Sequence, residues 1–359
     1  MAARFHELKV ASIERQTPEA VAVAFEIPDG LKDAFAFRPG QYLTLAADID
    51  GQEARRSYSI CSAPGDETLR VGVKRVADGR FSSFVNETLS VGDTIRVMPP
   101  EGRFTSLAGE RHDYVLIAAG SGITPMLSIA KTVLGHEADS TITLVYGNRS
   151  TDTIMFREEL EDLKDRYMRR FSLIHLLSRE AQDVELLNGR IDGERIGELS
   201  RRGLIDLAGA DGVFLCGPGE MIDDVSASLR TLGVEEDRIR FERFTPSGDA
   251  PKPRPRSAEA RQAAEAGVQI EVVLDGVRRA FPMGEADATV LDAAHRAGLE
   301  IPYSCAGGMC CTCRCRVAEG EAEMAVNYSL QPWEIEAGFT LACQTRPTSK
   351  KLVLDFDAA

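Results

Sequence analysis

The 359-residue chain has no apolar run of about 18 or more residues, so it offers no membrane-spanning helix. Its first residues, Met1-Ala2-Ala3-Arg4-Phe5-His6, lack the long apolar core of a secretion signal, and a cytoplasmic protein is expected. Positive charge is in short supply: 42 Lys and Arg against 56 Asp and Glu leave a formal net charge of -14. The basic footprint that nucleic acid demands is missing, so neither a nucleic-acid nor a membrane partner is expected. An acidic surface suits a protein partner with a basic patch, although charge alone names none. Histidine is sparse too. His6, His112, His136, His175 and His295 are scattered, and none stands in the Glu-x-x-His spacing of di-iron proteins. Any oxygen activation therefore belongs to another protein.

What is present divides into three textures. Residues 1–110 hold short β-rich runs, such as 21–27, 42–46, 69–74 and 94–97, separated by Gly and Pro, which predicts a small antiparallel β-barrel. Residues 111–245 alternate strand and helix signals. Apolar strand runs at 114–118, 141–146, 171–177 and 212–215 enclose helical patterns at 125–134 and 155–167. That alternation predicts a parallel sheet covered by helices, an α/β domain. Residues 246–266 begin with Pro246 and alternate Pro251, Pro253 and Pro255 with other residues, which denies helix and sheet and reads as a linker. An Ala/Glu/Arg stretch that is a candidate for a short helix ends it. Residues 267–359 open with strand runs at 268–274 and 277–281, then a helix at 289–297.

Five of the eight cysteines fall between Cys305 and Cys315. In a cytoplasmic chain such a cluster reads as metal binding before disulfides. Cys305, Cys310 and Cys313 form C-x4-C-x2-C, and Cys343 follows much later, which is the plant-type spacing for the four thiolates of a 2Fe–2S cluster. Gly307 and Gly308 let the loop wrap closely and turn amides toward sulfur. No other register reproduces both spacings, so Cys311 and Cys315 are spare. A structural zinc or an inert cysteine-rich turn is the competing reading, weakened because the second C-x2-C pair of a four-cysteine zinc site is missing. The set also has no histidine ligands of the Rieske kind.

Arg56-Ser57-Tyr58-Ser59 lies on an expected barrel strand, where Arg56 and Tyr58 share a face. A cation beside an aromatic plane suits a phosphate joined to a planar ring. An ordinary strand with a surface Arg and a half-buried Tyr explains the same four residues. Gly72-Val73-Lys74-Arg75 and Gly79-Arg80-Phe81-Ser82 follow, the latter a Gly/Ser turn able to donate amides to phosphate. Gly120-Ser121-Gly122-Ile123-Thr124-Pro125 joins a strand to a helix, with Thr124 as the expected cap and Pro125 as the first helical residue. It departs from the dinucleotide fingerprint at Pro125, and a phosphate site and a plain tight turn both fit it. Cys216-Gly217-Pro218 ends another strand at the same sheet edge, where ligands bind in such folds.

In this order the motifs give the chain a resemblance to the ferredoxin–NADP reductase superfamily fused to a C-terminal plant-type ferredoxin, and the likeness covers nearly the whole chain. The resemblance implies a flavin-binding β-barrel, an NAD(P)H-binding α/β domain and an α+β β-grasp ferredoxin domain. It implies that Arg56 binds the flavin phosphates, Tyr58 packs on the isoalloxazine and Ser59 lies near the reactive ring nitrogen, with Val73, Lys74, Gly79 and Ser82 completing the flavin site. Gly120, Gly122 and Thr124 would hold the pyrophosphate of the nicotinamide cofactor. Cys216, with Gly217 and Pro218, would sit at the nicotinamide, and Ser178-Arg179 would take the 2′-phosphate of NADPH, NADH remaining possible. FAD is favoured over FMN by the likeness alone. The stretches Cys305 to Cys313, Val326-Asn327-Tyr328, Glu336-Ala337-Gly338 and Leu341-Ala342-Cys343-Gln344 are most similar to the branch serving phenylacetyl-CoA 1,2-epoxidation. Related branches serve steroid hydroxylases and phthalate-type dioxygenases.

The expected function is an NAD(P)H-dependent iron–sulfur flavoprotein reductase that feeds a partner oxygenase of aromatic catabolism, docked near the cluster loop at 306–309. Flavin supplies the link between a two-electron donor and a one-electron cluster. Alternatives are the reductase of another multicomponent oxygenase, a flavin and cluster redox sensor, and a flavin oxidase with an appended ferredoxin domain.

Overall fold

A computed structural model describes residues 5–107, 109, 111–244 and 253–358. The chain forms two compact units, Phe5–Ser247 and Gly248–Ala359. The part of the expected linker from Pro246 to Lys252 lies outside the described residues.

The first unit begins with β1 (His6–Thr17), β2 (Ala20–Glu26), β3 (Tyr42–Ile49), β4 (Gln52–Ser59), β5 (Leu69–Lys74), α1 (Arg80–Glu87) and β6 (Thr94–Val97). These strands form one antiparallel sheet in the order β4-β3-β6-β1-β2-β5, and a bridge between Ile60 and Val71 brings its two edges together as a barrel. Strands β3 and β4 meet at Asp50-Gly51, both at positive φ, the two-residue turn whose twist matches a hairpin. Leu8, Val23, Leu43, Leu45, Val71 and Val97 fill the barrel. The Gly79–Ser82 segment, expected as a turn, opens α1.

The same unit continues with β7 (Asp113–Ala119), α2 (Ile123–His136), β8 (Thr141–Asn148), α3 (Arg157–Arg166), β9 (Phe171–Leu177), α4 (Gly193–Arg201), β10 (Gly212–Gly217), α5 (Gly219–Thr231) and β11 (Ile239–Arg243). All pairings are parallel in the order β11-β10-β7-β8-β9. One face is packed by α2 and α3 and by barrel residues Ala20, Ala22 and Cys61, the other by α4 and α5. Strand order reverses between β7 and β10, and ligands bind such sheets at the carboxyl ends of the strands flanking that point. Helix α2 starts at Ile123, earlier than expected, because Gly120–Gly122 winds a 3-10 turn that feeds straight into it. Pro125 is then its third residue, still within the first turn where amides lack helical partners, so its missing N–H costs nothing.

The second unit comprises α6 (Ala258–Ala266), β12 (Val268–Leu274), β13 (Val277–Met283), α7 (Val290–Arg296), β14 (Arg314–Glu319), β15 (Ala322–Met324), α8 (Pro332–Glu336), β16 (Phe339–Leu341), β17 (Thr345–Pro347) and β18 (Lys351–Asp355). The mixed sheet runs β13-β12-β18-β14-β16, with the hairpin β12–β13 turning at Asp275-Gly276 and β18 parallel to β12. Helix α7, capped by Thr289, covers it, the β-grasp arrangement. Helix α6 buries Ala260, Ala263 and Ala264, so residues 258–266 pack on this unit rather than span a gap.

Candidate functional sites

Alternation along β4 puts Arg56 and Tyr58 on one face. Arg56 is exposed, and its guanidinium donates to the Arg55 carbonyl at 2.7 Å. The Tyr58 ring lies 5.9 Å, centroid to centroid, from that of Phe81 on α1. Burial pushes the Tyr58 hydroxyl up, and the charge on Arg56 opposes it, so the cation is close to the phenol. Behind them, Ser82 spends its hydroxyl on its own turn, accepting from the Val76 amide and donating to the Gly79 carbonyl, both at 3.0 Å. The resemblance gives this hydroxyl to a flavin phosphate; here it also shapes its own turn. Also open to an anion is the start of α1, whose first amides have no helical acceptor. The resemblance also puts Val73 in the flavin site. Its side chain is fully buried in the barrel, leaving only its main chain, whose carbonyl accepts from Asn86 at 3.2 Å.

Ser59 faces away from Tyr58. It is buried and donates to Oε2 of Glu242 on β11 at 2.9 Å. Glu242 pairs in register with Cys216 on β10. Burial pushes the Glu242 carboxyl up to about 7, the Ser59 hydrogen bond opposing. Cys216 is fully buried, and burial together with Glu242 raises its thiol well above the usual range. The barrel and the α/β sheet thus meet at Ser59, Glu242 and Cys216.

The Gly120 turn lies at the same point. Gly120 adopts a φ of +56°, and Tyr146 donates to its carbonyl at 3.0 Å. A Cβ at Gly122 would stand 2.1 Å from the Cys216 carbonyl oxygen, so glycine lets β7 and β10 close on each other here. Gly217 has the same role against Met221, where a Cβ would stand 2.7 Å from the side chain, and Pro218 precedes α5. Thr124 is buried and donates to the Ser121 carbonyl at 3.0 Å, so it holds the turn from within and does not cap it. Lys74, on the barrel, is half-buried near Gly120; burial and the charge of Arg149 lower its ammonium pKa.

Ser178 and Arg179 follow β9, and their amides donate to the carbonyls of Asn148 and Arg149 at 3.0 and 2.7 Å. That brings two exposed guanidinium side chains, Arg149 and Arg179, to neighbouring strand ends. Between the glycine turn and these arginines, the buried Asn148 has no hydrogen-bond partner for its Nδ2 among the described residues. An orphaned amide, three cations and a glycine turn at one sheet edge fit a nucleotide phosphate.

In the second unit the four cysteines of the plant-type spacing come as two pairs. The amides of Gly307 and Cys310 both donate to Cys305 Sγ at 3.4 Å. The Cys310 thiol beside it and these amides hold Cys305 down to about 5, while Cys310 is raised. Cys313 stands against Cys343 in the same way, raised where Cys343 is lowered, and Gln344 Nε2 donates to Cys343 Sγ at 3.6 Å. Two thiol pairs ringed by amides suit two irons better than one tetrahedral zinc. The spare Cys311 meets Ser329 Oγ at 3.0 Å, and the spare Cys315 is buried in the core.

Two site residues went unseen in the sequence. Glu242 sits in Phe241-Glu242-Arg243-Phe244, and an acid between aromatics on a short strand was its only signal. Arg149 closes the run Gly147-Asn148-Arg149 at the end of β8, where a basic residue at a strand's carboxyl end could have been noticed.

Three family models match: an oxidoreductase FAD-binding domain at residues 7–106, an oxidoreductase NAD-binding domain at 116–227 and a 2Fe-2S iron-sulfur cluster binding domain at 272–348. The chain is 44% identical to one of the subunits of the 1,2-phenylacetyl-CoA epoxidase of Escherichia coli K12, covering 99% of this chain and 98% of that one. It is 35% identical to the ferredoxin reductase component of 3-ketosteroid-9-alpha-monooxygenase from Rhodococcus rhodochrous, over 97% and 96%. Phthalate dioxygenase reductase has the same fold, with a TM-score of 0.59 at 23% identity over 98% of each chain. No helix among the described residues is long and apolar enough to cross a membrane.

Proposed function

Because the chain belongs to the ferredoxin–NADP reductase superfamily, in the branch with a C-terminal plant-type 2Fe–2S domain, we propose that it carries electrons from NADPH to the oxygenase component of a phenylacetyl-CoA epoxidase. FAD held there would supply the conversion between a two-electron hydride donor and a one-electron cluster. The observation that carries this reading is the seam at Ser59, Glu242 and Cys216, where the barrel strand that bears Arg56 and Tyr58 meets the carboxyl edge of the parallel sheet.

The chain's own residues have distinct tasks. Arg56 and the first amides of α1 hold the flavin phosphates, and Tyr58 packs against its ring. Gly120, Gly122 and Lys74 admit the nicotinamide pyrophosphate, with Gly217 and Pro218 shaping the opposite wall. Buried Cys216 excludes water from the hydride path. Glu242 accepts the Ser59 hydrogen bond at Oε2 and can hold a proton at Oε1 near neutral pH. Arg149, Ser178 and Arg179 select the 2′-phosphate of NADPH through charge-assisted bonds. Cys305, Cys310, Cys313 and Cys343 ligate the two irons.

The oxygenase docks near the cluster loop at 306–309. Trp333, 60% exposed, and Ile335 on α8 add apolar surface of the kind that anchors interfaces. A cytoplasmic setting suits eight cysteines with no disulfide among them. The likeness to the steroid monooxygenase component makes a steroid hydroxylase the second partner class.

Anaerobic stopped-flow spectra after mixing with NADPH, and separately with NADH, test the electron path. Flavin bleaching followed by loss of cluster absorbance is expected, faster with NADPH. A cluster that stays oxidised while the flavin bleaches leaves an oxidase or a sensor as the better account.

A further inference from the structure

Arg314 directly follows the ligand Cys313 and is only 9% exposed. Its Nε donates to Oε1 of Glu334, itself 1% exposed, at 2.9 Å. The other oxygen, Oε2, accepts from the Gln331 amide at 3.0 Å and closes the capping box of α8. The guanidinium carbon lies 3.4 Å from the centroid of the Phe339 ring on β16. Strand β14 pairs Arg314 with Leu341, and the Ala342 amide donates to the Cys313 carbonyl at 3.0 Å, one residue before Cys343. One buried ion pair therefore joins the strand entered from the third ligand, the strand leading to the fourth, and α8.

Stability alone accounts poorly for it. Two charges withdrawn from water recover little net free energy from each other, and apolar replacements of similar volume are often as stable or more so. The position suggests a different role. Reduction of a 2Fe–2S cluster adds one negative charge, and the potential of such clusters depends on nearby charge and burial. A cation beside the cluster favours the reduced form, and its anionic partner offsets that preference.

We infer that the Arg314–Glu334 pair is a positioning element that sets the cluster's reduction potential by holding a balanced cation and anion against the strands of the third and fourth ligands. The inference rests on the reading that Cys305, Cys310, Cys313 and Cys343 hold the cluster.

The full-length protein tests it in three forms: Glu334→Gln, which leaves the cation unbalanced; Arg314→Met, which leaves the anion; and the double variant. Iron content and the reduced-cluster EPR signal come first in wild type, and an iron-free wild type defeats the cluster reading itself. With the cluster present, its potential is read by redox titration of that signal. Glu334→Gln should raise the reduced-to-oxidised ratio at fixed poise by about tenfold, 59 mV for a one-electron couple. Arg314→Met should lower it similarly, and the double variant should return toward wild type. Shifts of the same sign in both single variants, or none in either, overturn the inference, because a purely structural pair has no reason to give opposite signs. If Arg314→Met fails to retain iron, Glu334→Gln decides alone: a rise supports the inference, and no change or a fall overturns it.

Discussion

Ser59 and Glu242 are 183 residues apart in sequence, yet the serine hydroxyl donates to the carboxylate at 2.9 Å where the barrel meets the parallel sheet. The bond ties barrel strand β4 to the strand beside Cys216 and opposes the burial that pushes Glu242 up to about 7. The site therefore has a titration near neutral pH.

A pH dependence with a defined sign follows. The rate of flavin reduction by NADPH should show an inflection near pH 7 that Glu242→Gln removes. Ser59→Ala should move it upward, because the lost hydrogen bond favoured the ionised carboxyl. Stability follows the same group. A carboxyl whose folded pKa is raised contributes fully below its ordinary value of 4.5, and that contribution is lost as pH rises through about 7. Glu242→Gln should thus be more stable than wild type above pH 7 by at most about 3 kcal/mol, with little difference near pH 4. Urea titrations at the two pH values check this, and equal differences at both would refute it.

How far the sequence reached depended on whether the residues act locally. The proposed cluster ligands Cys305, Cys310 and Cys313 share one short loop, and the wrap of that loop imposes their spacing. The Asp-Gly turns at 50–51 and 275–276 and the β–α alternation of the middle region are also local signals. Glu242 is delivered by a strand that pairs only after the sheet has assembled, and nothing near it in the chain announces the Ser59 hydroxyl. At Ser82 and Thr124 the sequence showed the motif but not the local bonding. Each stands in a ligand-like motif, but its hydroxyl turns inward to the carbonyl three residues earlier, at Gly79 and Ser121. A motif string does not record which way a hydroxyl points.

Cysteine substitutions separate ligands from spare thiols. Cys313→Ser should lose cluster absorbance, most of its iron and cytochrome c reduction, while NADPH-dependent ferricyanide reduction through the flavin persists. Cys311→Ser should keep its iron, because that thiol is engaged with Ser329 outside the two ligand pairs. An iron-free Cys311→Ser protein would exchange the two assignments.

The proposed preference for NADPH puts nucleotide choice on the two arginines at adjacent strand ends. Each hydrogen bond to a charged group contributes about 1.5–3 kcal/mol, so Arg149→Ala and Arg179→Ala should each lower kcat/KM for NADPH by about tenfold or more. The value for NADH should change little, since no 2′-phosphate is there to lose its partner. Equal losses with both nucleotides would show that the arginines serve the shared part of the cofactor or the fold.

The two glycines of the Gly120 turn should respond to alanine differently, although they are two residues apart. Gly120 has its φ at +56° but open space around a would-be Cβ, whose nearest neighbour is the flexible end of Lys74 at 3.8 Å. Gly120→Ala should therefore cost only the strain of a left-handed residue, about 1–2 kcal/mol. At Gly122 the Cβ would stand 2.1 Å from the Cys216 carbonyl oxygen and 3.0 Å from the Gly217 nitrogen. Both are main-chain atoms of β10, which cannot give way without moving the whole strand against β7. Gly122→Ala should cost more than Gly120→Ala, at or beyond the roughly 1–3 kcal/mol typical of overpacking. It should also displace Cys216, so that flavin reduction slows more than NADPH binding weakens. Urea midpoints followed by flavin fluorescence, with stopped-flow rates on the folded proteins, check both parts. The order of the two midpoints is decisive: if Gly120→Ala is the less stable, backbone strain and not the approach of β10 governs the turn.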